Sequence, residues 1–233
     1  MINHSIFNLN HTVGDVVAVF PQSSDFFKRK KVDFCCGGTR TLAQAIEERN
    51  LNEAEFIEQL HQYYEEHARS EDTTDWREVH ADKLVKHIVD VHHHYARTEV
   101  EQLTPYVKKV ALVHGDKHTH LNKVLSLFND LKLEIAEHFS KEENEAFPKI
   151  LKYEETKSIQ TLKELKPIVS CLVDEHDAAG EILKQIREVT HDYELPEDAC
   201  GTFRLVYQRL ELLENDMFQH IHLENNILFP RYI

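Results

Sequence analysis

Two copies of one pattern place a histidine and a glutamate four residues apart near the ends of predicted helices. The stretch EHFSKEENEAFP contains His138 and Glu142, and HIHLENNILFP contains His220 and Glu224, 82 residues further on. Both copies fit H-x3-E-x4-F-P. Residues at i and i+4 share one face of a helix, so each pair can present an imidazole and a carboxylate to one centre. The proline after each pair predicts that the helix ends there.

Each His-Glu pair continues an apolar stripe. Steps of three and four residues connect the pairs to the positions before them, which are Leu121, Val124, Phe128, Leu131 and Ile135 in one helix and Phe203, Val206, Leu210, Leu213 and Met217 in the other. A helix turns such a stripe toward the core of a bundle. The same spacing places His93 and His176 on the stripes of two further helices, whereas His92 and His94 point elsewhere.

The positions of the histidines indicate how these helices pair. In an antiparallel hairpin, residues at one level are equally distant from the turn. His93 and His138 are symmetric about HGDK (114–117), and His176 and His220 are symmetric about LPEDACG (195–201). Two such hairpins predict an up-down four-helix bundle. His114 lies about 30 Å beyond His93 along a continuous helix, so we assign it to the turn.

Imidazoles and carboxylates in one buried layer predict a dinuclear metal centre. Burying two ionised glutamates would be costly without compensation, and two bridged metal ions provide it. Each metal would take two imidazoles, which is a ligand set of non-haem di-iron and di-manganese sites in helical bundles. Cysteine is absent from the stripes, which argues against structural zinc or an iron–sulfur cluster. The predicted ligands are His93, His138, Glu142, His176, His220 and Glu224.

Three acidic residues adjoin these ligands in the sequence. They are Glu143, Glu175 and Asp177. Such residues could orient the ligands by hydrogen bonds, but we expect these three to be solvated and leave them out of the predicted site.

Composition limits the class of protein. The 233 residues carry a net charge of −14, which disfavours nucleic acid and an anionic membrane as partners. Apolar runs are too short for a membrane span, and the first residues lack a secretory signal pattern. Four cysteines, two of them adjacent, fit a reducing cytoplasm. We therefore expect a cytoplasmic protein. Only 6 Gly and 6 Pro leave room for long helices, so we also expect an all-α fold.

The chain is predicted to contain two domains. Short helices with capping residues such as Thr12, Thr39 and Asn52 form an N-terminal domain at 1–68. The polar stretch 69–77 is a predicted linker. Residues 78–233 form the four-helix bundle.

The motifs also resemble a known family. HHHYAR, HFSKEENEAFP, DEHDAAGEIL and HIHLENNILFP resemble the hemerythrin-like domain, and DFCCGG resembles the ScdA-type N-terminal module. Together they resemble the repair-of-iron-centres family over nearly the whole chain. The resemblance implies two non-haem iron ions with an oxo or hydroxo bridge and two glutamate bridges, on the same six ligands. It also implies a cytoplasmic homodimer that repairs iron–sulfur clusters damaged by nitric oxide or hydrogen peroxide by supplying iron.

The adjacent cysteines, Cys35 and Cys36, have several interpretations. They could be redox-active or iron-transferring thiols, a contact with a partner, or small residues in a tight turn before Gly37. Given the resemblance, we predict that they are functional, without choosing a mechanism. An adjacent disulfide would require a strained ring.

Two other functions are compatible with the sequence. The bundle could bind or sense O2 or NO, or it could reduce NO to nitrous oxide at two ferrous ions. The cysteine-containing domain argues against a pure gas binder. A reductase would need an external electron donor, since the chain has no dinucleotide fingerprint. Turnover as an enzyme is therefore left undecided.

Overall fold

The computed structural model describes residues 6–67 and 74–233, and it confirms the all-α prediction. Its α-helices are α1 (Val13–Val19), α2 (Ser23–Arg29), α3 (Leu42–Glu48), α4 (Glu53–His67), α5 (Ala81–His87), α6 (His94–His114), α7 (His120–Lys141), α8 (Phe147–Thr156), α9 (Ile159–Val189) and α10 (Gly201–His222). Three π-helical segments, Ile88–His93, Glu142–Ala146 and Leu223–Leu228, and a 3-10 turn, Phe229–Arg231, complete the elements. Within the described residues, no helix is long and apolar enough to cross a membrane.

The chain divides into two compact units. The bundle unit contains residues 81–220, and the small unit contains residues 1–80 with residues 221–233. The division falls inside α10, between His220 and Ile221. The predicted boundaries at 69–77 stay a prediction, and part of that linker, 69–73, lies outside the described residues.

The bundle unit is the predicted up-down arrangement of four long helices. The first runs through α5, a π-helical segment and α6, and the second runs through α7, a π-helical segment and α8. Helix α7 packs against α6 and α9. Helix α10 is joined to α6 by a bidentate Arg209–Glu99 pair and to α9 by Arg187–Glu214. The chain reverses at 115–119 and 190–200, which overlap the turns predicted at 114–117 and 195–201.

The predicted stripe of α7 lies in the bundle core. Val124, Phe128 and Leu131 are fully buried, and Leu121 and Ile135 are nearly so. Because His138 and Glu142 continue the same stripe, they are buried too. Packing of the apolar positions thus determines where the polar positions go.

The prediction that Pro148 ends its helix is wrong. The π-helical segment Glu142–Ala146 leads directly into α8, which continues to Thr156. A π-helical turn bonds residues five apart, and Phe147 donates its N–H to the carbonyl of Glu142. Pro148 then occupies the first turn of α8, where its missing N–H is not needed.

The small unit is built on an aromatic core. Phe20, Phe27 and Phe56 are buried, and Phe26 packs edge-on against Phe56. Thr12 caps α1 as predicted, because its side chain accepts a hydrogen bond from Asp15 N. The predicted cap of α3 at Thr39 is wrong. Thr41 is the cap and forms a reciprocal capping box with Gln44.

Candidate metal centre

Five of the six predicted ligands come together within the bundle unit. His93 ends the π-helical segment before α6, and His138 and Glu142 lie at the end of α7. His176 is in the middle of α9, and His220 is in the last turn of α10. All five side chains are buried, and His93, Glu142 and His220 are fully so. Each of the four long helices therefore contributes to one polar layer.

The five side chains form two groups that share Glu142. One group is His93, His220 and Glu142, and the other is His138, His176 and Glu142; within each group the candidate ligand atoms lie within 4.8 Å of one another. The Nε2 atoms of His93 and His220 are 3.3 Å apart, and those of His138 and His176 are 2.8 Å apart. Ligand atoms on one metal ion at about 2.1 Å lie roughly 3–3.4 Å apart, so the first spacing fits a shared ion and the second is slightly shorter than this range.

The carboxylate of Glu142 faces both groups. Its Oε2 lies 3.2 Å from Nε2 of His93, and its Oε1 lies 3.1 Å from Nε2 of His138. Oε1 is also 3.7 Å from Nε2 of His176. One oxygen toward each histidine pair is the arrangement that a bridging carboxylate requires.

The opposite ring nitrogens determine which histidine atoms can bind a metal. Nδ1 of His93 donates to Glu143 Oε1 at 2.7 Å, and Nδ1 of His138 donates to Glu175 Oε2 at 2.8 Å. A carboxylate only accepts, so the proton of each neutral ring lies on Nδ1. Both Nε2 lone pairs are then directed toward Glu142 and the other histidines. A ring held by a carboxylate in this way is typical of a metal ligand.

The electrostatics of Glu142 also fit a bound cation. Burial alone would raise the pKa of this carboxyl, but the nearby imidazoles of His138, His176 and His93 lower it well below its usual value. Within the described residues neither of its oxygens has a hydrogen-bond donor of good geometry. A buried carboxylate of this kind requires a positive charge beside it. Nitrogen and oxygen donors without sulfur suit iron or manganese.

Sequence reasoning missed two positioning residues, Glu143 and Glu175, which were expected to be solvated. Glu143 also accepts from Arg97, and Glu175 also accepts from Lys141. Partial burial raises the pKa of each carboxyl, but these hydrogen bonds lower it overall. Their signal was available, since each directly adjoins a predicted ligand. Asp177 is exposed, as expected.

The π-helical segments coincide with the predicted ligands. His93 ends the first segment, Glu142 begins the second, and Glu224 lies in the third. Single π-helical turns inside α-helices frequently mark functional sites, because the extra residue rotates the following side chains. This feature could not be read from the 3.6-residue spacing alone.

Glu224 belongs to the small unit. It follows His220 by one turn of the same continuous helix, as Glu142 follows His138, and its side chain is fully buried. Its role as the second carboxylate ligand stays a prediction from this spacing.

The remaining candidates lie elsewhere. His114 ends α6, and its Nε2 is 3.2 Å from Sγ of Cys200 beside the 190–200 turn, as its assignment to the turn requires. Cys35 and Cys36 lie in the small unit, in the turn between α2 and α3.

Two family models match this chain, one over the N-terminal part and one over the C-terminal part. The family model described as the hemerythrin HHE cation binding domain matches residues 84–232, and ScdA_N, described as a domain of unknown function, matches residues 9–64. The "Iron-sulfur cluster repair protein ScdA" of Staphylococcus epidermidis is 34% identical over 220 residues, covering 94% of this chain and 96% of the relative. The "Iron-sulfur cluster repair protein YtfE" of Pectobacterium carotovorum is 32% identical over 226 residues, covering 95% and 96%.

Proposed function

The chain belongs to the iron–sulfur cluster repair family with a hemerythrin HHE domain, and from this premise we propose that it supplies iron to damaged iron–sulfur clusters. The recipients are iron–sulfur proteins whose clusters have been attacked by nitric oxide or hydrogen peroxide. The observation that supports this function best is the carboxylate of Glu142 between two histidine pairs.

We propose that the bundle holds two non-haem iron ions. His93 and His220 would hold one ion, His138 and His176 the other, and Glu142 and Glu224 would bridge them. Each ion then has two imidazoles and two carboxylate oxygens from the protein, which is fewer than the six ligands iron can take. An oxo or hydroxo bridge and small ligands such as NO, O2 or peroxide fit the remaining positions.

Incomplete protein ligation also fits a delivery role. A site with few protein ligands holds iron less firmly than a closed site, so iron can leave to an acceptor. Glu143 and Glu175 keep the protons of His93 and His138 on Nδ1, so the Nε2 lone pairs stay available for reloading. Here the protein contributes positioning and charge, and iron is the cargo.

Further parts of the proposal follow from the family resemblance. They are assembly as a homodimer and a location in the cytoplasm. Light scattering of the iron-loaded protein tests the first, and a monomer at working concentrations would contradict it.

A reconstitution experiment tests the function. Iron-loaded protein is incubated with an iron–sulfur enzyme inactivated by nitric oxide, together with sulfide and a reductant. We expect enzyme activity to return while iron leaves the bundle, and Glu142→Gln protein to restore little. Free ferrous iron at the same total concentration is the control for adventitious supply. Gas binding without iron loss, or nitrous oxide produced with an electron donor, would replace this function with sensing or NO reduction.

A further inference from the structure

The turn between α2 and α3 brings a carboxylate and two thiols together. It contains Asp33, Cys35 and Cys36, whose candidate ligand atoms lie within 4.8 Å of one another. Sγ of Cys35 is 3.9 Å from Sγ of Cys36 and 3.3 Å from Oδ1 of Asp33. Both cysteines are reduced thiols.

The two distances from Cys35 are each within about 0.3 Å of those expected between ligands of a single metal ion. Two thiolates at about 2.3 Å from a tetrahedral ion lie roughly 3.8 Å apart, and a thiolate and a carboxylate oxygen lie roughly 3.6 Å apart. The measured sulfur–sulfur distance is close to the first value and far from the ~2.05 Å of a disulfide. The thiols are therefore already separated as a metal would hold them.

The backbone fixes the carboxylate in place. Oδ1 of Asp33 accepts hydrogen bonds from the backbone N–H groups of Cys35 and Gly37, each at 3.1 Å. These two hydrogen bonds hold the carboxylate of Asp33 beside the thiols. Cys35 is buried and Cys36 is partly exposed, so one side of the cluster is accessible.

Asn226, near the C-terminus, forms hydrogen bonds to the backbone of this turn. Nδ2 of Asn226 donates to the carbonyl oxygens of Phe34 and Cys35, at 3.3 and 2.8 Å. The amide lies so close to Gly38 that an added Cβ there would be 2.2 Å from Oδ1 of Asn226. The second glycine after the cysteines is therefore needed for this close approach.

We propose that Asp33, Cys35 and Cys36 form a second, open metal site for a thiol-binding divalent cation such as Fe²⁺ or Zn²⁺. The site supplies three protein ligands and leaves a fourth position for an exchanging ligand. Binding replaces the thiol protons with the cation and releases them to solvent, with no change in oxidation state. This site is separate from the histidine–glutamate layer and does not depend on the function proposed for it.

Cobalt is a suitable probe because thiolate coordination gives it a near-ultraviolet charge-transfer absorption that nitrogen and oxygen ligands do not. Reduced full-length protein, its bundle already loaded with iron, is titrated anaerobically with Co²⁺ and followed by difference spectra. We expect the thiolate band to saturate at about one Co²⁺ per chain. Zn²⁺ and Fe²⁺ should each displace Co²⁺ and so remove its absorption band. The cation that does so at the lower concentration is the preferred one.

Three variants make the assignment specific. Cys36→Ser should abolish the band. Asp33→Asn keeps an acceptor for both backbone N–H groups but removes the charge, and it should weaken Co²⁺ binding about tenfold or more. The double variant Cys171→Ser/Cys200→Ser removes two exposed thiols and should keep the band. Unchanged bundle iron and an unchanged melting temperature show that each variant is folded.

Absence of the band in the wild-type protein, its persistence in Cys36→Ser, or its loss in the Cys171→Ser/Cys200→Ser protein would each exclude this metal site. Unchanged Co²⁺ affinity in Asp33→Asn would contradict the proposal that the carboxylate of Asp33 is a ligand of this site.

Discussion

At the scale of single residues, Glu142 differs from the histidines because it serves both groups. Glu142→Gln keeps the size of the side chain but removes the charge that faces both histidine pairs. We expect iron to fall from about two ions per chain to well below one. His93→Ala removes a ligand from one group only, so it should retain more iron, about one ion per chain. Metal analysis after gel filtration measures both, and equal losses in the two variants would contradict a shared carboxylate.

Glu175 is expected to act through His138, which it contacts by a hydrogen bond of 2.8 Å to Nδ1. Glu175→Gln offers a weaker acceptor, so the ring loses part of its orientation and basicity. Loss of such a partner typically weakens metal binding about 10–100-fold, and we expect a change in this range. Competition with a chelator measures the affinity. Asp177→Asn, an exposed neighbour on the same helix, is the matched control and should leave it unchanged.

The sequence predicted that five side chains lie close together, because the face of a helix and the level within a hairpin can both be counted from residue numbers. These residues are His93, His138, Glu142, His176 and His220. The sequence did not predict which histidines form a pair. Both hairpins place their histidines at one level, but the close pairs join His93 to His220 and His138 to His176 across hairpins. That choice depends on how four helices are arranged in cross-section, and residue counting carries no information about it.

At the scale of the helix, the π-helical segment at Glu142 explains why Pro148 does not end the second long helix. A proline in a helix interior costs about 3 kcal/mol, but one in a first turn costs little. Pro148→Ala should therefore change the free energy of unfolding by less than about 1 kcal/mol. Lys152→Pro places a proline at an exposed interior position of α8 and should cost about 3 kcal/mol. Denaturant unfolding distinguishes them, and a large loss in Pro148→Ala would give the proline another role.

Capping of α3 offers a second test at this scale. Thr41 accepts from the backbone N–H of Gln44, while Gln44 accepts from the N–H of Thr41. Thr41→Ala should lower the stability of the small unit by about 1 kcal/mol. Thr39→Ala, at the exposed position first predicted as the cap, should change it by less than about 0.5 kcal/mol. Chemical denaturation followed by near-ultraviolet circular dichroism measures both, and the reverse order would restore Thr39 as the cap.

The two misplaced helix boundaries have a common physical reason. Both Thr39 and Thr41 are suitable caps, and only the tertiary structure decides between them: the backbone of Thr41 pairs with that of Thr12. In the same way, a proline does not by itself mark a helix end, since Pro105 lies inside α6 and Pro167 inside α9. Local sequence predicts that an element exists more reliably than where it begins or ends.

At the scale of the whole molecule, the stability of the chain should depend on iron. The bundle buries His93, Glu142, His176 and His220 almost completely, which is unfavourable for folding when no cation lies among them. A ligand that binds only the folded state adds about 2.7 kcal/mol at a free concentration one hundred times its dissociation constant. For a chain of this size, 1 kcal/mol shifts the melting temperature by about 2–4 °C. Iron loading should therefore raise it by roughly 5–10 °C.

Calorimetry of metal-free and iron-loaded protein measures this shift, and the variant Glu142→Gln identifies its source. The variant removes the charge that the two groups share, so iron should raise its melting temperature by a small fraction of the wild-type value. Magnesium at equal ionic strength controls for screening of the −14 net charge, and it prefers an all-oxygen octahedral site. If magnesium stabilised the protein as much as iron does, the effect would arise from general charge neutralisation, and the histidine–glutamate layer would not be its source.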